Sequence, residues 1–355
     1  MTLIGGKTQM SIQSFTRRRK ANSRLSAVLL TTMIVVAEAS FGSSIASAQS
    51  KARAHRIVTP VTIEVYPQTY TSWLPVIAQA SGFFAKNGLK AKIVQVAGGG
   101  PMAMDALANG SADIAMADMS ITGPLLDKGI SLQVVSGAAA ADWCLVGPTS
   151  SSTNYPSDVT QFNGKTVGVI VVGGSGYYFM KALAGVNSIN VTYSAFGAPV
   201  ANAVAAMSAH QVDGAIVNPD VAAYMQRNKI GKILYNFSSA GDLSASGPPL
   251  SNLAGQPNDW MVATTSWTKS NPGAVRRFQL AMDEAQLWAQ TPANLTKVIN
   301  LLARTSMLPQ YDSGSIAKQA VRPLLGNLVA YLPSTTPGAY QQFWITEGEF
   351  GSKVR

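Results

Sequence analysis

The chain has 355 residues, a formal net charge of +10, 12% charged residues and a single cysteine. That length can hold two domains with a sizeable core; the lone Cys144 excludes an internal disulfide, and two histidines with one cysteine exclude a His/Cys metal cage. Half of the net charge lies in the first 48 residues, where Lys7, Arg17, Arg18, Arg19, Lys20 and Arg24 face only Glu38, so the remainder presents no basic face for nucleic acid.

The N-terminus reads as an export signal. A basic run over 17–20 precedes an apolar stretch over 25–37, and Ala46, Ser47 and Ala48 have the small-residue form of a cleavage site ahead of Gln49. Thr31, Thr32 and Glu38 interrupt the apolar stretch, which falls short of the ~20 residues a membrane span needs. Residues 1–48 are therefore expected to be a signal peptide, 49–56 a flexible tail, and the mature protein periplasmic.

Residues 57–65 alternate in the manner of a first strand, and Gln68, Tyr70 and Trp73 follow its carboxyl end. A helix is expected over 74–80 and a second strand over 91–97. Gly98, Gly99 and Gly100 then let the chain turn sharply with backbone N–H groups uncovered. Pro101 suits a helix start. Met102, Ala103, Ala106 and Leu107 make one apolar stripe, and Gly110 stops the helix. A buried strand over 114–116 leads to Asp118 and Ser120.

Strands are expected over 131–137 and 143–147, the latter opening with Trp143, and again over 166–172. The turn Gly173, Gly174, Ser175, Gly176, Tyr177, Tyr178 then opens a helix over 179–184. It is not a phosphate loop, because no Lys-Ser/Thr follows, and it lacks the full dinucleotide fingerprint. About a hundred residues after the first strand–helix–strand unit comes a near-copy. Its strand covers 191–195, Pro199 enters a helix striped by Val200, Ala203, Val204 and Met207, and a strand over 213–217 leads to Asn218 and Asp220. Residues 236–258 are rich in Ser, Gly, Pro and Asn and predict an irregular connection. A strand over 260–264 returns, and helices follow over 274–289, 292–304, 313–325 and 337–350.

Two units of one design predict an α/β protein of two similar lobes, each a mixed sheet flanked by helices. Residues 57–138 with 260–355 form one lobe and 142–253 the other, with crossings at 138–142 and 253–259. Such sheets take ligands outside the carboxyl ends of their strands, so a cleft between the lobes is expected.

Three motifs carry a family resemblance. They are Gly-Phe-Phe-Ala-Lys-Asn-Gly-Leu over 82–89, Ala-Leu-Ala-Asn-Gly-Ser-Ala-Asp-Ile over 106–114, and Asn-Gly-Lys-Thr-Val-Gly-Val over 163–169. In this order and spacing the chain resembles the extracytoplasmic solute-binding proteins of the nitrate, sulfonate and taurine transporters. The likeness covers nearly the whole mature chain. It implies the type II periplasmic-binding fold, capture of a small solute by lobe closure, and delivery to an ABC permease in the inner membrane, by a monomer without cofactor or catalysis. A thiamine-pyrimidine synthase also resembles this family, but its cysteine cluster has no counterpart beside Cys144.

Candidate ligand contacts are the strand-end residues. Gly99, Gly100 and Gly174 offer N–H groups at helix amino ends, which suit an anion or carbonyl oxygen; Ser175 and Tyr177 add hydroxyls. Gln68, Tyr70 and Trp73 lie in a loop that lines the cleft in the family, and Trp73 has an alternative place in the core. Asp118, Ser120, Asn218, Asp220, Asp259 and Trp260 sit at other strand ends, with Asp220 better suited to capping the helix over 221–225 than to touching a ligand. Trp143 lies at a crossing, where it can stack on a ligand or seal the hinge. None of these loops holds Lys or Arg. A sulfonate-type organic anion would then rely on amides and hydroxyls, while the aspartates and aromatics equally suit a neutral or cationic nitrogen heterocycle.

Overall fold

Strand β1 (Thr59–Val65) opens a chain whose computed structural model describes residues 58–96, 100–118, 121–122, 125, 128–140, 143–197, 201–308 and 315–331. The expected signal peptide and tail, Gly99, Ser120 and the helix expected over 337–350 lie outside those residues. After β1 come helices α1 (Trp73–Ala80) and α2 (Phe83–Lys86), strand β2 (Leu89–Gln95), helix α3 (Gly100–Asn109), and strands β3 (Ile114–Ala117) and β4 (Leu132–Ala140). The chain then builds β5 (Cys144–Gly147), α4 (Ser157–Thr160), β6 (Lys165–Val169), α5 (Ser175–Val186), β7 (Val191–Ala195), α6 (Ala201–Ser208), β8 (Gly214–Val217), α7 (Pro219–Arg227), β9 (Lys232–Asn236) and α8 (Ala240–Ser246). It returns through β10 (Pro257–Thr264) to α9 (Thr265–Ser270), α10 (Pro272–Gln290), α11 (Leu295–Arg304) and α12 (Ser315–Leu325).

Two five-stranded mixed sheets result, with orders β2-β1-β3-β10-β4 and β7-β6-β8-β5-β9. The orders are the same pattern written twice. In each, three parallel strands are followed by an antiparallel one, β10 beside β3 and β5 beside β8. The two-lobed α/β architecture is thus present.

Several expected boundaries move. β4 and β10 run into the expected crossings because Ala139 pairs with Asp259 and Ala140 with Pro257. The strand expected over 166–172 stops at Val169, and its helix starts earlier, at Ser175. The connection expected to be irregular over 236–258 contains helix α8, capped by the Ser239 hydroxyl, which accepts from the Asp242 N–H at 3.2 Å. Strand β9 was not expected; it is a short edge strand paired to β5.

The first lobe's core packs α1, α10, α11 and α12 on one sheet face, with Trp73, Phe84 and Phe278 fully buried and the two Phe rings stacked at 5.4 Å. Each such side chain contributes roughly 1.5–3 kcal/mol by leaving water. A second apolar cluster runs through both lobes, with Trp260 and Ala117 of the first joined to Trp143, Leu145 and Phe179 of the second. The segment after α12 doubles back on β4. There Val329 N–H donates to Ala138 O at 3.3 Å and Ala140 N–H to Asn327 O at 2.9 Å, and a side chain at Gly137 would collide with the Val329 carbonyl.

Candidate ligand cleft

Strand direction places the site. In the first sheet the carboxyl ends of β1, β2, β3 and β4 share one edge with the amino end of β10, because Trp260 pairs with Ala117 and Pro257 with Ala140. In the second, the carboxyl ends of β6, β7, β8 and β9 share an edge with the amino end of β5, because Cys144 pairs with both Val217 and Asn236. The passage from Ala140 to Cys144 joins one edge directly to the other.

Buried polar residues gather along these edges. On the first they are Thr69, Thr71, Ser72, Asp118, Asn258 and Asp259; on the second, Ser175, Asn218 and Asp220. Buried polar groups need partners, and the first edge supplies many internally. The Ser72 hydroxyl donates to Tyr66 O at 2.7 Å, the Tyr66 hydroxyl donates to Met116 O at 3.2 Å, and the Thr69 and Thr71 hydroxyls lie 3.4 Å apart. This hydroxyl loop, like Asn258, was missed in the sequence. The Thr-Tyr-Thr-Ser run directly after a strand was its available signal.

Three expected residues come together where the crossings meet. Trp143 Nε1 donates to Ser175 Oγ at 2.9 Å, Asn258 Nδ2 reaches the same oxygen at 3.4 Å, and Asn258 Nδ2 donates to Asp259 Oδ2 at 3.2 Å. One hydroxyl at the amino end of α5 thereby ties both crossings together. Gly176 permits it, since a Cβ there would stand 3.0 Å from Trp143 Cε3 and 3.0 Å from Ile216 Cγ2. The N–H groups of the first turn of α5 have no partner within the helix and face this edge.

Other expected contacts are engaged by the protein itself or stand exposed. Tyr70 and Trp73 are fully buried in the first lobe's core, edge to face at 5.5 Å, and Trp73 Nε1 donates to Met307 O at 3.3 Å. The core alternative for Trp73 is therefore its observed place. The Trp260 indole donates to Pro257 O at 2.6 Å within the cluster shared by the lobes. The Tyr177 ring packs against Tyr178 and against Tyr193 of edge strand β7, at 5.0 and 4.6 Å. Gln68 is exposed, in a left-handed conformation with φ 52°. Gly100 lacks a side chain for packing reasons, because a Cβ would collide with Ile121. The Gly174 N–H is already donated to Val171 O at 3.2 Å within the turn.

Charge at the edges is one-sided. Asp118, Asp220 and Asp259 are buried there, whereas no Lys or Arg is buried among the described residues. Asp220 occupies the second position of α7, after the cap residue Asn218 and Pro219. Its carboxyl takes hydrogen bonds from the backbone N–H groups of residues 220 and 221, but burial outweighs them and pushes it up to about 6. Among the described residues, no three His, Cys, Asp or Glu side chains converge as a metal site, and no helix is long and apolar enough to cross a membrane. A hollow of about 430 Å³ lies between the ends of α10, α11 and α12, lined by Gln290, Thr291, Leu295 and Arg322. It includes no residue of the strand-end edges.

Residues 74–294 match a family model described as NMT1/THI5 like. No curated protein matches the chain at a significant level. Among solved structures, a protein of Bordetella bronchiseptica superposes with a TM-score of 0.68 at 19% identity, over 84% of this chain and 92% of its own. The alkanesulfonate-binding protein SsuA of Xanthomonas axonopodis, bound to MOPS, gives 0.61 at 16% identity, over 84% and 93%. The periplasmic nitrate-binding protein NrtA of Synechocystis gives 0.58 at 14% identity, over 82% of each chain. At these identities the structural matches establish a shared fold.

Proposed function

Because the chain belongs to the NMT1/THI5-like family, we propose that it is the extracytoplasmic solute-binding component of an ABC importer. It captures a small organic solute between its lobes and hands it to a permease in the inner membrane. Binding and closure, with no chemical step, are its task. The observation that carries this reading is the concentration of buried polar residues along two strand-end edges joined by the crossings. A fold stabilised only by its core has little reason to bury polar groups at its strand ends. Closure is a shift toward the shut form, which the solute binds more tightly.

The favoured solute is a sulfonate-type organic anion, its oxygens held by the first-turn N–H groups of α5. A second reading, a neutral or cationic nitrogen heterocycle, draws on the three aspartates buried at the edges and the lack of a buried Lys or Arg among the described residues. The fold relatives named for sulfonate and nitrate binding support the first reading only by analogy of architecture.

The test is native mass spectrometry of the purified protein for carried small molecules, together with a thermal-shift screen of sulfonates, carboxylates and aminopyrimidines. A ligand selective for the folded state must raise the melting temperature. A bound solute of micromolar affinity is expected. Absence of any carried molecule and of any thermal shift across the screen would defeat the proposal.

A further inference from the structure

We propose that the solute presents an N–H donor group, an amine or a ring amino group, to Asp220 Oδ1. The inference rests on the solute-binding reading above and adds a chemical requirement to it. Asp220 is 1% exposed, and its Oδ1 has no hydrogen-bond partner. The backbone N–H groups it accepts from, those of residues 220 and 221, are at the amino end of α7. The carboxyl therefore lies over that helix end, which is where β8 delivers the chain to the cleft edge, and Val217 of that strand pairs with Cys144 beside Trp143.

A buried acceptor left without a donor is costly, and such a group needs an explanation. Glu64 and Asp158 also carry an unpartnered buried oxygen, but Glu64 is still inside strand β1, one residue before its end, and Asp158 is in α4, which starts ten residues beyond β5. Asp220 alone of these three stands in the first turn of a helix that follows directly on a strand's carboxyl end. Among the described residues no Lys or Arg is buried to satisfy it, and its two backbone donors are already used. An N–H from the solute would complete the site with a charge-assisted hydrogen bond, the stronger kind. That donor is either an ammonium at the far end of an organic anion or an amino group on a heterocycle. The chemistry at Asp220 is the same in both.

The test uses paired probes that differ by one amino group, measured by calorimetry on the whole protein: 3-aminopropanesulfonate against propanesulfonate, and 4-amino-2-methylpyrimidine against 2-methylpyrimidine. The aminated member of one pair should bind at least tenfold more tightly, and which pair responds separates the two sources. In D220S the preference should fall to about twofold or less, while D220N, which keeps an acceptor without charge, should retain part of it. Equal binding within both pairs would overturn the role of Asp220 while leaving solute binding intact. So would an unchanged preference in D220S. If no probe binds and the protein carries no small molecule, both this inference and the solute-binding reading fall. The comparison within each pair on the wild-type protein needs no variant, so a poorly folding D220S leaves the proposal testable.

Discussion

The two strand–helix–strand units, β2-α3-β3 with β1 beside them and β7-α6-β8 with β6 beside them, agree in detail and then part at their ends. In the first, Asp113 N–H donates to Thr62 O at 3.0 Å and Thr62 N–H donates back to Asp113 Oδ2 at 2.8 Å. In the second, Asp213 N–H donates to Thr166 O at 2.8 Å and Thr166 N–H to Asp213 Oδ2 at 2.8 Å. Each aspartate thus pins the start of its own strand in register against the neighbouring parallel one. Beyond the strands the units diverge: Asp118 and Ser120 in one stand where the other has Asn218 and Asp220, a hundred positions on. Shared positions hold the sheet together. The positions that differ are free of that duty and can specialise.

The largest effect should come from giving the second unit the first unit's residue, Asp220→Ser. The Asp220 carboxyl is raised to about 6 from an ordinary value of 3.8, because burial disfavours its charge. The folded state therefore holds this proton more tightly than the unfolded state does. Its contribution is favourable below pH 3.8 and is lost as pH rises to about 6. Above that window the ionised group costs about 3 kcal/mol. Asp158, also raised to about 6 chiefly by burial, adds a slope of the same sign. Denaturant titrations of the solute-free protein at pH 4.5 and 7.5 should show D220S gaining stability at the higher pH and losing much of the slope. An unchanged slope would break the contrast between the units.

Next in size are the strand locks. Asp113→Ala should cost about 2 kcal/mol, as loss of a hydrogen bond to a charged group. Asp213→Ala should cost no more than that, because its side chain is 43% exposed and water can replace it. Urea midpoints at constant m-value would measure both. A larger loss at Asp213 would mean that the locks are not equivalent.

A smaller effect is expected where the helices stop. Both units end their helix in a left-handed residue, Gly110 with φ 78° and His210 with φ 52°. Glycine adopts this conformation freely and histidine does not. His210→Gly should therefore stabilise by about 0.5 kcal/mol and Gly110→Ala destabilise by about 1 kcal/mol. Matching signs in thermal melts would show that the two caps are not interchangeable. Smallest of all, breaking the exposed Lys86–Glu284 pair, 2.8 Å apart, should change stability by less than about 0.5 kcal/mol.

Much of this was legible in the chain. Alternation, apolar stripes and the Gly110 stop located β1, α3, β3, β7 and β8, since these follow from local spacing and backbone freedom. The repeated unit announced two lobes, and the strand-end rule pointed to Ser175, Asn218, Asp220 and Asp259, all of which are buried along the strand-end edges. Less was legible where long-range pairing decides. β9 exists because β5 offers it an edge, and β4 and β10 lengthen because they pair with each other. Aromatic residues misled for a related reason. Tyr70, Trp73 and Tyr177 follow strand ends as ligand-stacking residues would, yet their rings find partners in the core or on β7.

What the amino-acid sequence determined alone was periodic: element types, their order, the doubled unit and the line of strand ends where polar residues collect. Only tertiary structure decided which of those polar residues satisfy one another and which do not. Ser175 bonds to Trp143 and Asn258, 32 and 83 positions away, whereas Asp220 is left with an open acceptor. Local sequence sets backbone preference over a few residues. Hydrogen-bond satisfaction depends on groups brought within about 3 Å from anywhere in the chain.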